Sequence, residues 1–102
     1  MATSRYLMLR KFQRDVEAET RRARNLFTPP GAHIERDKFC KAIWVSCIGE
    51  ELGKLQRAVN KLTLAKDETV REQWLDTAYE KIITTSSLLR RFAENIEVLP
   101  DK

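Results

Sequence analysis

The chain is expected to be all-α, and three observations predict it. It holds only three glycines and three prolines in 102 residues, too few to punctuate a sheet-rich fold. Apolar residues recur three and four apart over most of its length, the period of a helix face. Charged residues make up 33% of the chain, which suits helices with one dry and one wet side. A chain of 102 residues forms one domain around one core. Residues 1–102 are therefore read as a single helical domain, with helices at about 4–27, 35–64 and 67–96.

The first helix is expected from Ser4, a candidate N-cap, to about Phe27, with Tyr6, Leu9, Phe12, Val16, Ala23 and Phe27 on its apolar side. Thr28-Pro29-Pro30-Gly31-Ala32-His33 then stops it, because paired prolines followed by glycine do not continue a helix. The second helix is expected over 35–64, with Trp44, Ile48, Leu52, Leu55, Val59 and Leu62 as one stripe. Lys66-Asp67-Glu68 forms a short polar link. A third helix follows to Ile96, with Val70, Trp74, Ala78, Ile82, Thr85, Leu89, Phe92 and Ile96 on its stripe. Glu68 and Glu72 place negative charge near its N-terminus, where the helix dipole favours it. So short a link makes helices 2 and 3 an antiparallel hairpin. Three helices of this length cover their stripes poorly alone, so a homo-oligomer, dimer or tetramer, is expected to complete the bundle. Thr84-Thr85-Ser86-Ser87 inside helix 3 predicts a close interhelical approach.

Charge is uneven. Residues 1–41 carry ten Lys/Arg against five Asp/Glu, and the remainder nine against ten. Arg21, Arg22 and Arg24 belong to the basic part and are candidate phosphate ligands. Mixed signs along helix 1 fit a solvated face better than a nucleic-acid surface, so nucleic acid is not an expected partner. No apolar run is long enough to span a membrane, and the first ten residues do not resemble a secretion signal. Cys40 and Cys47, two turns apart on one expected helix, are too distant for a disulfide and read as reduced thiols, so a cytoplasmic location is expected. His33, the single histidine, sits in the Pro-Gly break and reads as a surface residue. Trp44 and Trp74 fall on the apolar stripes and read as packing residues rather than base-stacking ones.

Carboxylates carry the main chemical interest. Glu50 and Glu51 sit within the stripe of helix 2, so at least one lies at the edge of the buried seam. A carboxylate there needs a cation, either a metal ion or an arginine. Glu72, Asp76 and Glu80 repeat every four residues on helix 3. If the hairpin aligned the two sets, Glu50, Glu51, Glu72 and Asp76 would converge on Mg²⁺ or Mn²⁺, hard ions that take oxygen ligands.

The stretch from Arg22 to Glu94 resembles the MazG-like all-α nucleoside triphosphate pyrophosphohydrolases. Those proteins have a Glu-Glu-x-Gly-Glu-Leu helix followed by a helix with Glu-x-x-Asp. The first pattern is read here in Glu50-Glu51-Leu52-Gly53-Lys54-Leu55, and the second in Gln73-Trp74-Leu75-Asp76. Ala23-Arg24-Asn25-Leu26-Phe27-Thr28-Pro29 is similar to the family's lead-in. The resemblance implies Mg²⁺ or Mn²⁺ as cofactor, Glu51 as a catalytic residue, and release of pyrophosphate from a nucleoside triphosphate. Lys54 and Gln73 stand where the family has carboxylates, so the metal site is degenerate. An alternative pairing has Lys54 bridging to Asp76 in place of the metal. The other expectation is a non-catalytic helical oligomeric interaction protein, of the accessory kind found in phages and mobile elements.

Overall fold

The three- and four-residue spacing of the apolar side chains becomes three helices: α1 (Ala2–Phe27), α2 (Lys41–Leu64) and α3 (Glu68–Asn95). The computed structural model describes residues 2–27 and 39–102. The Pro29-Pro30-Gly31 break, His33 and positions 35–38 of the expected second helix lie outside them. Two starts differ from expectation. Ser4 lies inside α1 and is not its N-cap. α2 begins at Lys41 rather than at 35, with Cys40 in extended geometry as N-cap.

The start of α2 is set at a distance. Cys40 supplies no side-chain cap bond, and the exposed amide of Lys41 donates instead to the carbonyl of Pro100 at 2.9 Å. Lys41 Nζ adds bonds to the Leu99 carbonyl at 2.6 Å and to Asp101 Oδ1 at 2.7 Å. Leu99 is buried in the same contact. The segment after α3 thus satisfies one of the amides that a helix N-terminus leaves open. α3 starts locally: Asp67 is its N-cap and accepts from the Thr69 amide at 2.9 Å.

α3 is the middle helix. α2 runs antiparallel to it: the Trp44 ring stacks on Phe92, with centroids 5.9 Å apart and planes 13° from parallel. At the other end Arg71 donates to the Leu62 carbonyl at 3.3 Å. α1 runs parallel to α3, since Asp15 bonds Tyr79, Thr20 meets Ser87 and Arg24 pairs with Glu94. The α3 residues that meet α2 (Arg71, Lys81, Phe92) and those that meet α1 (Tyr79, Ser87, Glu94) lie on different sides of the helix. The three helices therefore form a layer, and its overall dimensions are 47 × 29 × 21 Å.

The interior is narrow. Val16, Ala23, Trp44, Ile48, Ala58, Ala78 and Ile83 are buried, together with the polar Thr20, Thr85, Ser87 and Arg91. Ser87 meets Thr20 of α1 at 3.0 Å, the close approach that the hydroxyl run predicts. The expected stripes need correction. Leu52 and Val59 of α2, Val70, Ile82, Leu89 and Ile96 of α3, and Tyr6 and Leu9 of α1 are exposed. Each long helix carries two apolar lines, and three- and four-residue spacing alone merges them into one. α2 buries the line through Trp44, Ile48 and Ala58, about 60–80° round the helix from Leu52 and Val59.

Candidate functional site

The layer has two broad faces with opposite chemistry. On one, the three helices enclose a cavity of about 270 Å³. α1 lines it with Glu19, Arg22 and Ala23, α2 with Trp44, Cys47, Glu50 and Glu51, and α3 with Thr84, Leu88 and Arg91, while Phe39 closes one side. Arg91 is buried, with its guanidinium 5.7 Å from the Trp44 ring centre, a cation–π contact that shields the charge. Arg22 donates twice to Glu19, at 2.9 and 2.6 Å. Those bonds hold Glu19 below the usual carboxylate range, against a partial burial that pushes the other way. The cavity wall is therefore charged but internally compensated. Cys40 and Cys47 are both free thiols.

Glu51 is the carboxylate at the edge of the seam, its side chain only 16% exposed. Two lysines meet it. Lys54 donates to its Oε1 at 3.1 Å, and Lys81 of α3 stands 3.7 Å from its Oε2. Glu50 is mostly exposed and lies 3.9 Å from Lys54. The expected Lys54–Asp76 bridge does not form, because Lys54 reaches the two glutamates of its own helix first. Glu72 and Asp76 are exposed. Asp76 lies two residues from the buried Ala78, about 200° round α3. With Glu72 one turn before it, Asp76 continues the line of Tyr79 that meets α1. Glu50 and Glu51 are thus brought together, and Glu72 and Asp76 are not brought to them. Among the described residues no group of three or more carboxylate, Cys or His side chains is gathered as metal ligands would be. Glu51 Oε2 is buried without a hydrogen bond, but two ammonium groups and only one neighbouring carboxylate surround it, a donor set that does not fit a hydrated Mg²⁺ or Mn²⁺ ion.

The expected phosphate ligands also divide. Arg22 is bound to Glu19 at the cavity, and Arg24 pairs with Glu94. Arg21 lines a shallow furrow on the outer side of α1, with Arg10 and Arg14. Gln73 is exposed on α3. Trp44 is 2% exposed and Trp74 half-buried, as packing residues.

On the opposite face the chemistry is apolar. Val45 and Leu52 lie two residues from the cavity-lining Cys47 and Glu50, and Ile82 and Leu89 lie two from Thr84 and Arg91. A two-residue step is about 200° of helix, so all four point away from the cavity. Seven-residue steps extend both rows, giving Val45, Leu52 and Val59 on α2 and Leu75, Ile82, Leu89 and Ile96 on α3, every one exposed.

No family model, curated protein or solved structure matches this chain. The functional reading therefore rests on the two faces themselves. Sequence reasoning missed Glu19, Cys47 and Arg91 as cavity residues, and no local motif marks them, since three separate helices bring them together. The seven-residue rows are visible in the sequence once the two apolar lines of each helix are separated. Among the described residues no helix is long and apolar enough to cross a membrane.

Proposed function

We propose that the chain is a non-catalytic helical interaction protein that docks its partner on the open face of the α2–α3 hairpin. One observation carries the reading: two parallel rows of exposed Val, Leu and Ile share that face, with Leu52 49% and Leu89 50% exposed. Contiguous apolar surface beyond a few hundred Å² marks an interaction site on a soluble chain. The inner carboxylate supports the non-catalytic half of the reading, because Lys54 and Lys81 stand beside Glu51 where a metal site would need further oxygen ligands. Two free thiols suit a reducing compartment, and the cytoplasm is part of this proposal.

The face is tested by Leu52→Lys with Ile82→Lys, measured at high dilution. An unchanged or higher thermal midpoint places both residues outside the folding core and supports docking. A midpoint lowered by several degrees makes them core residues and overturns it. Catalysis is tested by pyrophosphate release from a panel of nucleoside triphosphates with Mg²⁺ or Mn²⁺. Release that Glu51→Gln with Asp76→Asn abolishes overturns the non-catalytic half.

A second reading follows the MazG-like resemblance, and the cavity favours it. Arg22 and the pair Glu50 and Glu51 border a space of about 270 Å³, close to the lower limit of small-molecule pockets. In this reading a nucleoside triphosphate binds there with its own Mg²⁺ or Mn²⁺, and Arg22 leaves Glu19 to meet a phosphate. Saturable, Arg22-dependent binding of a nucleotide to the dilute chain would favour it.

A further inference from the structure

The open face of the hairpin has a symmetry that identifies its occupant. Lys81 and Glu51 are 3.7 Å apart at their charged ends, so their neighbours Ile82 and Leu52 sit at the same level on the two helices. Seven residues to either side of Leu52 stand Val45 and Val59, and seven to either side of Ile82 stand Leu75 and Leu89. Over these three residues each row reads the same from its centre in both directions, and Ile96 extends the α3 row on one side alone. We propose that a second copy of this chain covers the face. The two-fold axis lies in the interface and crosses α2 and α3 at the level of Leu52 and Ile82. It sets Val45 against the partner's Val59 and Leu75 against the partner's Leu89. The proposal rests on the reading that this face docks, and names what docks there.

Three further observations fit a copy rather than a different partner. Three residues before or four after each large side chain on α2 stand Ala42, Gly49, Gln56 and Thr63, which carry no charge. On α3 the same offsets give Glu72, Tyr79, Ser86 and Ala93, uncharged apart from Glu72 near the α2–α3 link. A nucleic acid or an anionic lipid surface finds no cluster of cations along these rows, whereas a copy can bury their uncharged positions without stranding an ion. The small row beside the large one on α2 lets the two copies of that helix approach closely. Heptad spacing keeps those rows in register along the whole contact.

Gly49 supplies the second observation. A side chain at this mid-helix position would meet nothing within 4 Å among the described residues. Glycine there weakens the helix, and none of the described residues requires it. A helix of the second copy lying close over the face does.

Size is the third. From Ala42 to Thr63 α2 runs about 30 Å at 1.5 Å per residue, and the two helices are about 20 Å wide together. That footprint is about 600 Å² before surface relief, near the roughly 800 Å² per partner of a stable complex. An in-plane two-fold makes every neighbouring helix pair antiparallel, and α2, α3 and their copies close a four-helix bundle.

The test uses sedimentation of the full chain over a wide concentration range. The expected result is a reversible species of twice 11.9 kDa, abolished by Leu52→Lys with Ile82→Lys while helix content is retained. Gly49→Leu, which has open space in the single chain, should weaken association about tenfold or more. Register is read by oxidative crosslinking in a Cys40→Ser, Cys47→Ser background. Leu52→Cys chains should link to one another, and Val59→Cys chains should link to Val45→Cys chains in preference to themselves. A monomer at every concentration overturns the proposal, as does a dimer that the lysine pair leaves intact. Neither result bears on the docking reading, which the thermal midpoint of the dilute lysine variant decides separately.

Discussion

The hydroxyl pair between α1 and α3 gives a prediction whose size follows from who donates to whom. Thr20 is 1% and Ser87 0% exposed, so water replaces neither. Thr20 donates its one hydroxyl hydrogen to the Val16 carbonyl at 2.7 Å. Ser87, 3.0 Å away, must then donate to Thr20 Oγ1. Ser87→Ala removes that donor and leaves an acceptor that costs little, so the expected loss is about 1 kcal/mol. Thr20→Val keeps the shape but strands the Ser87 hydroxyl in a dry contact, for about 1–3 kcal/mol. The double variant has no stranded group and should lose about 1 kcal/mol less than the two singles together. The assay is a double-mutant cycle by urea unfolding, followed by far-ultraviolet circular dichroism at low protein concentration. For a domain of this size each kcal/mol moves the thermal midpoint by about 4–8 °C. Additivity within about 0.3 kcal/mol, or a Thr20→Val variant as stable as the parent, would refute the bond assignment.

Three other outcomes are expected. Trp44→Ala removes the buried ring stacked on Phe92 and should cost about 3–5 kcal/mol, with loss of the near-ultraviolet signal at ordinary temperature if the domain is only marginally stable. Asp67→Ala removes the cap bond to Thr69 and should cost about 1 kcal/mol, whereas Asp67→Asn should be nearly neutral. Acid should loosen α1 first. The Lys11 and Tyr79 hydrogen bonds hold Asp15 below its ordinary 3.8, and the Arg90 bond holds Glu17 below 4.5. Both contributions are present above those ordinary values and vanish as pH falls through the lower folded ones. Amide exchange in α1 should therefore accelerate below about pH 4 before exchange in the α2–α3 hairpin does, and Asp15→Asn should flatten that difference.

How much of this was legible in the sequence differs by residue. The all-α class and the antiparallel hairpin follow from the spacing along α2 and α3 and from the short link at Lys66-Asp67, where Asp67 announces its cap. The same spacing placed Leu52, Val59, Ile82 and Leu89 in the core, because a hydrophobic residue's period says which side of a helix it is on only relative to its neighbours. Which side faces the chain's own core depends on where the other helices sit. The start of α2 was misplaced for a related reason: its first amide is satisfied by Pro100, far along the chain, and Cys40 carries no signal of that. One of Glu50 and Glu51 was expected at the seam, since a carboxylate inside an apolar stripe must meet a cation, and Glu51 is the one found there. Its partner was not legible, because Lys81 comes from α3 and Lys54 lies outside the apolar pattern altogether. The expectation that Asp76 would approach Glu50 required the register of two helices, which contacts such as Trp44–Phe92, Glu51–Lys81 and Leu62–Arg71 fix.

The layered arrangement makes the strength of association a matter of balance rather than of contact alone. α3 meets α2 on one side and α1 on another, so neither neighbour covers the Leu75–Ile96 row, and α2 is left with its Val45–Val59 row open. Burying the exposed half of a Val, Leu or Ile side chain contributes about 1 kcal/mol. Seven such residues on each of two copies therefore supply on the order of 14 kcal/mol. The lost freedom of two bodies and their side chains offsets about 4–15 kcal/mol of it. For the proposed dimer this leaves at most about 10 kcal/mol, a Kd no tighter than about 10⁻⁸–10⁻⁷ M, so the occupied fraction would follow the protein concentration. Gly49 fits that balance, since a larger residue there would firm the single helix at the cost of the close approach on which the bundle depends.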